Sequence, residues 1–142
     1  MRLLSRISIL LIAILLGFSS CGDEPDGKWD KMKWNNLSNL KQEEGKYIVP
    51  ASGGTYTFEC TNYKAPWINS VTEEGVDEYS LIEVTDNFHT FIGKWFDVRC
   101  VNADLVVTID PLDADCYERD MTVIVTAGDI FEIFVFQQQW LQ

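Results

Sequence analysis

Short runs of strand-forming residues, separated by turn residues, dominate the chain from Lys46 onward. In the run 55–60, every second residue is aromatic or Cys, and the residues between them are Thr or Glu. This alternation is typical of a half-buried strand. Similar runs occupy 47–49, 67–71, 79–85, 95–100 and 105–109. Because no convincing helical stretch follows residue 45, the sequence predicts an all-β fold of two packed sheets.

The closing hairpin is the strongest strand signal in the chain. Runs 121–126 and 130–136 are joined by Ala127-Gly128-Asp129, a connection typical of β-hairpins. The second run is apolar at every position except Glu132, which predicts a central strand covered on both faces. Residues 46–142 match the size of an immunoglobulin-like domain, so we expect an antiparallel β-sandwich of about seven to nine strands.

Residues 1–20 are predicted to be a lipoprotein signal peptide. Arg2 and Arg6 precede an apolar run over 7–18, which is too short to span a bilayer and is typical of a secretory signal. The sequence Phe18-Ser19-Ser20-Cys21 resembles the bacterial lipobox. The resemblance implies cleavage before Cys21 and acylation of that residue, which anchors a protein in a membrane. An ordinary signal peptide with a chance Cys is the alternative.

Residues 21–45 are predicted to form a lipidated acidic tether. The run Gly-Asp-Glu-Pro-Asp-Gly over 22–27 follows the lipidation site directly. It resembles the export signal of Bacteroidetes lipoproteins, which implies an outer-membrane lipoprotein facing the cell exterior. A solvated linker is the alternative, since Gly, Pro and Asp favour one.

Two Trp residues interrupt this tether. Trp29 and Trp34 flank Met32. In an extended chain Met32 and Trp34 share a face that Trp29 does not, whereas in a helix Trp29 and Met32 lie together. The rings either fold back over the domain as a lid or form an exposed aromatic contact for a partner.

Several short motifs occur in order between residues 46 and 138. They are Gly53-Gly54 before a strand, Pro66-Trp67-Ile68, Arg119 at the start of a strand that contains Thr122-Val123-Ile124-Val125, Gly128 in a turn, and Gln137 after the last strand. Together they resemble the BACON domain, a Bacteroidetes-associated module often described as carbohydrate-binding. The resemblance implies an immunoglobulin-like sandwich without catalysis of its own over residues 46–142. Residues 75–93 fit the pattern poorly and are interpreted as an inserted hairpin.

The net charge of the chain argues against some classes of binding partner. It carries 22 acidic and 11 basic residues, a net charge of −11. This balance argues against nucleic acid, whose binding depends on basic residues that neutralise phosphates. It also argues against acidic glycans, which the domain repels. The charge does not argue against neutral glycans as ligands.

Catalytic and metal chemistry have little support in the sequence. His89 is the single His, and no Gly-x-Ser-x-Gly motif accompanies it, so no catalytic residues are expected and the protein is not expected to be an enzyme. The carboxylates between Asp110 and Asp120 miss the spacing of a calcium loop. We therefore expect a solvated acidic loop, no metal site and no cofactor.

Three Cys residues remain beyond the lipidation site, and their odd number excludes a fully paired set of disulfides. Cys60 and Cys100 each follow apolar residues of the same face, so both are expected to point into the core. They are either free or bridged to one another, and Cys116 is the third.

Exposed aromatic residues are the candidates for stacking on a sugar ring. Tyr63, beside Asn62 in a predicted loop, is the first candidate. Tyr117, with Asp115 and Glu118 as hydrogen-bond acceptors, is the second. Both rings could instead cover the open ends of the core. A buried position is expected for Trp67 and Trp95.

The expected function is that of a non-catalytic surface lipoprotein. Its partners are the membrane, through Cys21, and either a glycan, mucin or a surface protein, with no nucleic acid. The alternative is a structural spacer or accessory subunit of a cell-surface assembly that binds no small ligand.

Overall fold

A computed structural model describes residues 29–74 and 82–140 of the chain. All regular secondary structure in these ranges is β, which confirms the predicted all-β sandwich. The described strands number eleven, two more than the upper end of the prediction. In chain order they are β1 (Trp34–Asn36), β2 (Gln42–Glu43), β3 (Lys46–Pro50), β4 (Gly54–Cys60), β5 (Trp67–Glu74), β6 (Glu83–Thr85), β7 (Thr90–Ile92), β8 (Phe96–Val101), β9 (Asp104–Ile109), β10 (Glu118–Ala127) and β11 (Ile130–Gln139).

The strands form two sheets with different strand directions. The six-stranded sheet has the order β1-β4-β9-β8-β7-β6 and is antiparallel throughout. The five-stranded sheet has the order β2-β3-β11-β10-β5, and in it β3 pairs with β11 in parallel. The prediction of a purely antiparallel sandwich is therefore wrong at this one pair. The chain passes through seven other strands between β3 and β11, so local turn residues could not reveal the pairing.

Aromatic rings from both sheets fill the centre of the sandwich. Phe58 of β4 lies 5.2 Å from Phe134 and 5.8 Å from Phe136 of β11, measured between ring centroids. Tyr47 of β3 lies 4.8 Å from Phe58. All three Phe side chains are at most 2% exposed. The contacts join the two sheets directly, because β4 and β11 belong to different sheets.

The closing strand is central but covered on one face only. β11 lies between β3 and β10, and Phe134 and Phe136 are buried. Phe131 and Ile133, on its other face, are 55% and 59% exposed. The prediction of burial on both faces is wrong, since no described element packs over this side of the five-stranded sheet.

Part of the expected tether belongs to the sandwich. β1 pairs with β4, and β2 pairs with β3. Met32 is 6% exposed, and Trp34 packs edge-on against Phe134 at 5.1 Å. Trp29 is 63% exposed, so the extended pattern correctly separated it from the other two. Trp34 accordingly covers the core, as in the lid interpretation, and the sandwich begins before Lys46.

The sandwich has two ends, which the β10–β11 hairpin connects. Glu118 pairs with Gln139 at one end and Ala127 with Ile130 at the other, about 30 Å apart for ten-residue strands. We call the first the Tyr117 end; it comprises the turn 51–53, the loop 110–117 and Trp140. We call the second the Tyr63 end; it comprises the loop 61–66 and the turns 86–89, 102–103 and 128–129.

Candidate functional site

A buried Arg organises the Tyr117 end. Arg119 is 8% exposed, and its Nε donates to Oε1 of Gln138 at 2.7 Å. One terminal nitrogen donates to the backbone carbonyl oxygens of Asp110 and Pro111 at 2.8 and 3.2 Å. The guanidinium therefore fixes the start of the loop 110–117 against β10 and β11.

Gln138 extends this network to the preceding turn. It is 1% exposed, and its Nε2 lies within 3.2 Å of the carbonyl oxygens of Pro50, Ala51 and Asp110. Gly53 lies in the same turn with φ +69°, and a Cβ on it would lie 2.2 Å from the carbonyl oxygen of Ile109. The turn thus requires glycine, and the Gln138 amide is a second donor to the carbonyl oxygens of Pro50 and Ala51, which also accept from the backbone N–H groups of Gly53 and Leu112.

The indole ring of Trp95 also contacts the side chain of Arg119. The Cζ atom of Arg119 lies 4.1 Å from the ring centroid of Trp95, which is a cation–π contact. The Nε1 of Trp95 donates to Oε2 of Glu73 at 3.1 Å. Burial lowers the pKa of Arg119, while the nearby charges of Asp113 and Asp110 act in the opposite direction. Trp95 is 7% exposed, so its expected burial is confirmed, whereas Trp67 is only half-buried.

Two exposed aromatic residues lie on this scaffold. Tyr117 is 88% exposed and Trp140 is 53% exposed. They directly precede and follow the paired residues Glu118 and Gln139, so both belong to the same end of one hairpin. The Nε1 of Trp140 donates to the carbonyl oxygen of Cys116 at 3.1 Å. The indole is therefore held in place while its ring remains accessible.

Polar groups surround these rings. Asp115 and Glu118 are exposed beside Tyr117, as the sequence predicted. On the outer face of the five-stranded sheet, a groove next to this end is lined by carboxylates, amides and one ammonium group. Its lining residues are Glu43, Glu44, Lys46, Ile48, Gln137 and Gln139. Such a mixture of donors and acceptors beside accessible rings suits a ligand with many hydroxyl groups.

Lys46 and Asp120 fix one side of the groove. The Nζ of Lys46 donates to Oδ2 of Asp120 at 2.6 Å, across a sequence separation of 74 residues. This hydrogen bond raises the pKa of Lys46. Asp120 pairs with Gln137 in the sheet, so the ion pair lies beside the amide of a groove residue.

The polar groups of Tyr63 and Asn62 form hydrogen bonds within the chain. The Oη of Tyr63 donates to the carbonyl oxygen of Asp30 at 2.6 Å. Asn62 accepts from the backbone N–H of Lys33 and donates to the carbonyl of Lys31, both at 2.9 Å. These side chains hold the segment 30–33 at the Tyr63 end. The sequence did not indicate these contacts, because the residues that occupy both groups lie about thirty positions earlier in the chain, and ligand binding at Tyr63 stays a prediction.

Removal of the Tyr63 hydroxyl is expected to loosen this segment. We expect Tyr63→Phe to cost about 1 kcal/mol, the net value of one hydrogen bond, and to speed amide exchange at Lys33. Urea unfolding and hydrogen exchange measure both effects. Lys64→Ala, an exposed change in the same loop, is the control. Equal exchange rates in the two variants would contradict this role of Tyr63.

The remaining candidates for chemistry have structural positions. The Nδ1 of His89 lies 2.7 Å from the carbonyl oxygen of Asp86, within one turn. Cys60 and Cys100 are buried and free, as is the half-buried Cys116. β9 lies between the strands of Cys60 and Cys100, and a separation of two strands, about 10 Å, is too long for a disulfide. Burial raises the pKa of Cys100 to about 12, so this thiol stays protonated at neutral pH.

The structure separates the two predicted aromatic candidates to opposite ends of the sandwich. It groups Tyr117, Asp115 and Glu118 with Trp140 and the outer groove. Gln138 was not among the predicted site residues. Its position directly after the apolar run 130–136, in the same strand, is the only sequence feature that could have indicated its burial.

In the ranges 29–74 and 82–140, no His, Cys, Asp and Glu residues form a group of three that could hold a metal. No helix in those ranges is long and apolar enough to cross a membrane. Cys21 and the acidic run 22–27 lie outside the described residues.

The chain matches no protein-family model and no curated protein. It is similar to a solved structure, described as the NMR structure of the protein from Bacteroides thetaiotaomicron. The two sequences are 35% identical, and the match covers 85% of this chain and 97% of that chain with a TM-score of 0.65.

Proposed function

We propose that this chain, which belongs to the same family as the Bacteroides thetaiotaomicron protein, is a lipid-anchored, non-catalytic module that binds a neutral glycan at the outer membrane. The observation that supports a ligand is the exposure of Tyr117 and Trp140 on a rigid base. The BACON-like motifs support the same proposal, since Arg119 and Gly53 both have defined roles in building that base.

The chemistry of the Tyr117 end favours a neutral sugar over other ligands. The C–H face of a sugar ring packs on an aromatic ring, and its hydroxyls bond to neighbouring carboxylates and amides. Asp113, Asp115 and Glu118 are all exposed there, and their charges repel acidic glycans. Gln137 and Gln139 provide both donors and acceptors in the groove. A neutral oligosaccharide therefore fits this end best.

Titration calorimetry with neutral host and plant oligosaccharides tests the glycan proposal. We expect Tyr117→Ala to weaken binding by about 2 kcal/mol, the loss typical of a central aromatic contact, which is roughly 30-fold in Kd. Trp140→Ala is expected to act in the same direction.

Phe131→Ala is the matched control, because Phe131 is an exposed ring at the opposite end of the same hairpin. Its Kd is expected to equal that of the unaltered protein. If no oligosaccharide binds at millimolar concentration, the alternative of a spacer or accessory subunit without a small ligand replaces this proposal. Asn62 and Tyr63 donate hydrogen bonds to backbone carbonyl oxygens of the segment 30–33, and this structural role favours that alternative.

The lipid anchor has its own test in cells. Cys21→Ala is expected to abolish labelling by a radioactive fatty acid and to release the protein from the membrane fraction, because the acyl chains supply the anchor. Cys116→Ser retains Cys21 and serves as the control. Equal fatty-acid label on both variants would remove the anchor from the proposal.

A further inference from the structure

Four exposed apolar side chains lie at the Tyr63 end of the sandwich. Trp29, Phe88, Val101 and Phe131 are between 51% and 63% exposed. These four come from four separate segments of the chain, among them the turn 86–89 and the closing hairpin. Isolated exposed apolar residues are ordinary, but a group of them on one surface marks a contact site.

Backbone contacts place Phe88 and Phe131 at the same end of the sandwich. The carbonyl oxygen of Phe88 accepts a hydrogen bond from the N–H of Ile68 at 2.9 Å. The residue before Ile68 pairs with Thr126, which pairs in turn with Phe131. The two aromatic residues thus lie at the same end, with β5 and β10 between the turn of Phe88 and strand β11.

Val101 and Trp29 belong to the same end. Val101 pairs with Asp104 across the turn 102–103, and Ala103 in this turn accepts a hydrogen bond from the N–H of Cys60 at 2.8 Å. Trp29 directly precedes Asp30, which Tyr63 holds in place. Trp29 and Val101 therefore lie at the same end of the sandwich as Phe88 and Phe131.

The turn that carries Phe88 has an unusual backbone. Asp86, Asn87 and Phe88 all have positive φ angles, of 54°, 51° and 65°. Asn and Asp adopt this conformation readily, whereas a bulky residue does so at a cost of about 1–2 kcal/mol. The ring of Phe88 is nevertheless 56% exposed, so packing against the core offsets little of this conformational cost.

The length of chain before Asp30 limits the distance between this surface and the proposed lipid anchor. Asp30 is nine residues after Cys21, and nine residues span at most about 30 Å. If acyl chains on Cys21 lie in a membrane, the Tyr63 end stays within that distance of the lipid. The Tyr117 end is a full strand length farther along the molecule.

The distribution of charge agrees with this direction. At the Tyr63 end, the exposed Lys31, Lys33 and Lys64 are offset by the exposed acids Asp30, Asp86 and Asp129, so that end is close to neutral, whereas Asp113 and Asp115 are exposed at the other end. Contact of the apolar group with a second copy is disfavoured, because the chain has a large excess of acidic residues and two copies repel each other. A lipid surface accepts exposed aromatic rings at its headgroup boundary.

We propose that the Tyr63 end rests on the lipid surface through Trp29, Phe88, Val101 and Phe131, so that the Tyr117 end points away from the membrane. This orientation rests on the lipid anchor of the proposed function. It adds a second membrane contact, made by the folded domain, and it presents Tyr117 to ligands outside the cell envelope.

Site-specific fluorescence on the lipidated full-length chain tests the orientation. In a Cys116→Ser background, an environment-sensitive dye is attached at Asp129→Cys or at Asp115→Cys, which are exposed loop positions at opposite ends. The chain is then inserted into phosphatidylcholine vesicles. We expect the dye at position 129 to shift its emission to the blue and to lose quenching by iodide, and the dye at position 115 to change in neither respect.

Removal of the apolar contact provides the decisive control. Phe88→Ser with Phe131→Ser, in the chain labelled at position 129, is expected to abolish the blue shift while the protein still floats with the vesicles. Flotation with identical emission at positions 129 and 115 would overturn the orientation and leave the anchor intact. Loss of flotation in the unaltered chain would overturn the anchor and the orientation together.

Discussion

Phe134→Ala is expected to lower the free energy of unfolding by about 3–5 kcal/mol, the range for deletion of a buried Phe. Phe134 is 2% exposed and lies 5.1 Å from Trp34 and 5.2 Å from Phe58. Both partners belong to the six-stranded sheet, so the variant removes a contact that joins the two sheets. Urea unfolding followed by Trp fluorescence measures the loss.

The same strand supplies the control for this prediction. Ile133→Ala changes the neighbouring residue, which is 59% exposed on the outer face, and is expected to cost less than about 1 kcal/mol. Equal losses for the two variants would contradict the view that only one face of β11 is covered.

Arg119→Met is expected to cost about 2–4 kcal/mol. Met keeps most of the apolar stem but removes the guanidinium, and Oε1 of Gln138 loses its donor. A buried polar group without a partner costs about 1–3 kcal/mol, and the lost contact with Trp95 adds about 1 kcal/mol. Amide exchange in the loop 110–117 is expected to increase, since the carbonyl oxygen of Pro111 loses its Arg119 donor and that of Asp110 keeps only Gln138.

Arg99→Met is the matched control on the protein surface. Arg99 forms an ion pair with Asp97, and its side chain is 52% exposed. Because water screens such a pair, its loss is expected to cost less than about 1 kcal/mol. A loss at Arg119 no larger than that at Arg99 would show that the buried network does not hold the Tyr117 end.

Polar side chains have different roles at the two ends of the sandwich. At the Tyr117 end, Arg119 and Gln138 fix the backbone and leave Tyr117 and Trp140 accessible. At the Tyr63 end, Asn62 and Tyr63 form hydrogen bonds with the segment 30–33. We therefore expect substitutions at Tyr117 to affect ligand binding without changing stability, and substitutions at Tyr63 to do the reverse.

The candidate site was only partly predictable. Tyr117 was expected to be exposed because it lies between acidic turn residues, and the structure confirms this exposure. Tyr63 had the same local pattern, yet its hydroxyl is occupied. The difference arises because Asp30 reaches Tyr63 only after β1 has paired with β4, and no property of the loop 61–66 indicates that pairing.

The sequence by itself determined the strands and the class of fold. Alternation in the run 55–60 and the Gly turn between 121–126 and 130–136 are local properties of the chain, and steric preference and side-chain direction act over only a few residues. The pattern of Met32 and Trp34 fitted an extended chain and a helix alike, and the structure shows the extended alternative, with Met32 buried and Trp34 in a strand. The tertiary structure decided the parallel pairing of β3 with β11, the exposure of Phe131 and Ile133, and the burial of Arg119. Each of these depends on which distant segment lies next to a residue, and that is settled by the free energy of packing the whole chain rather than by local spacing.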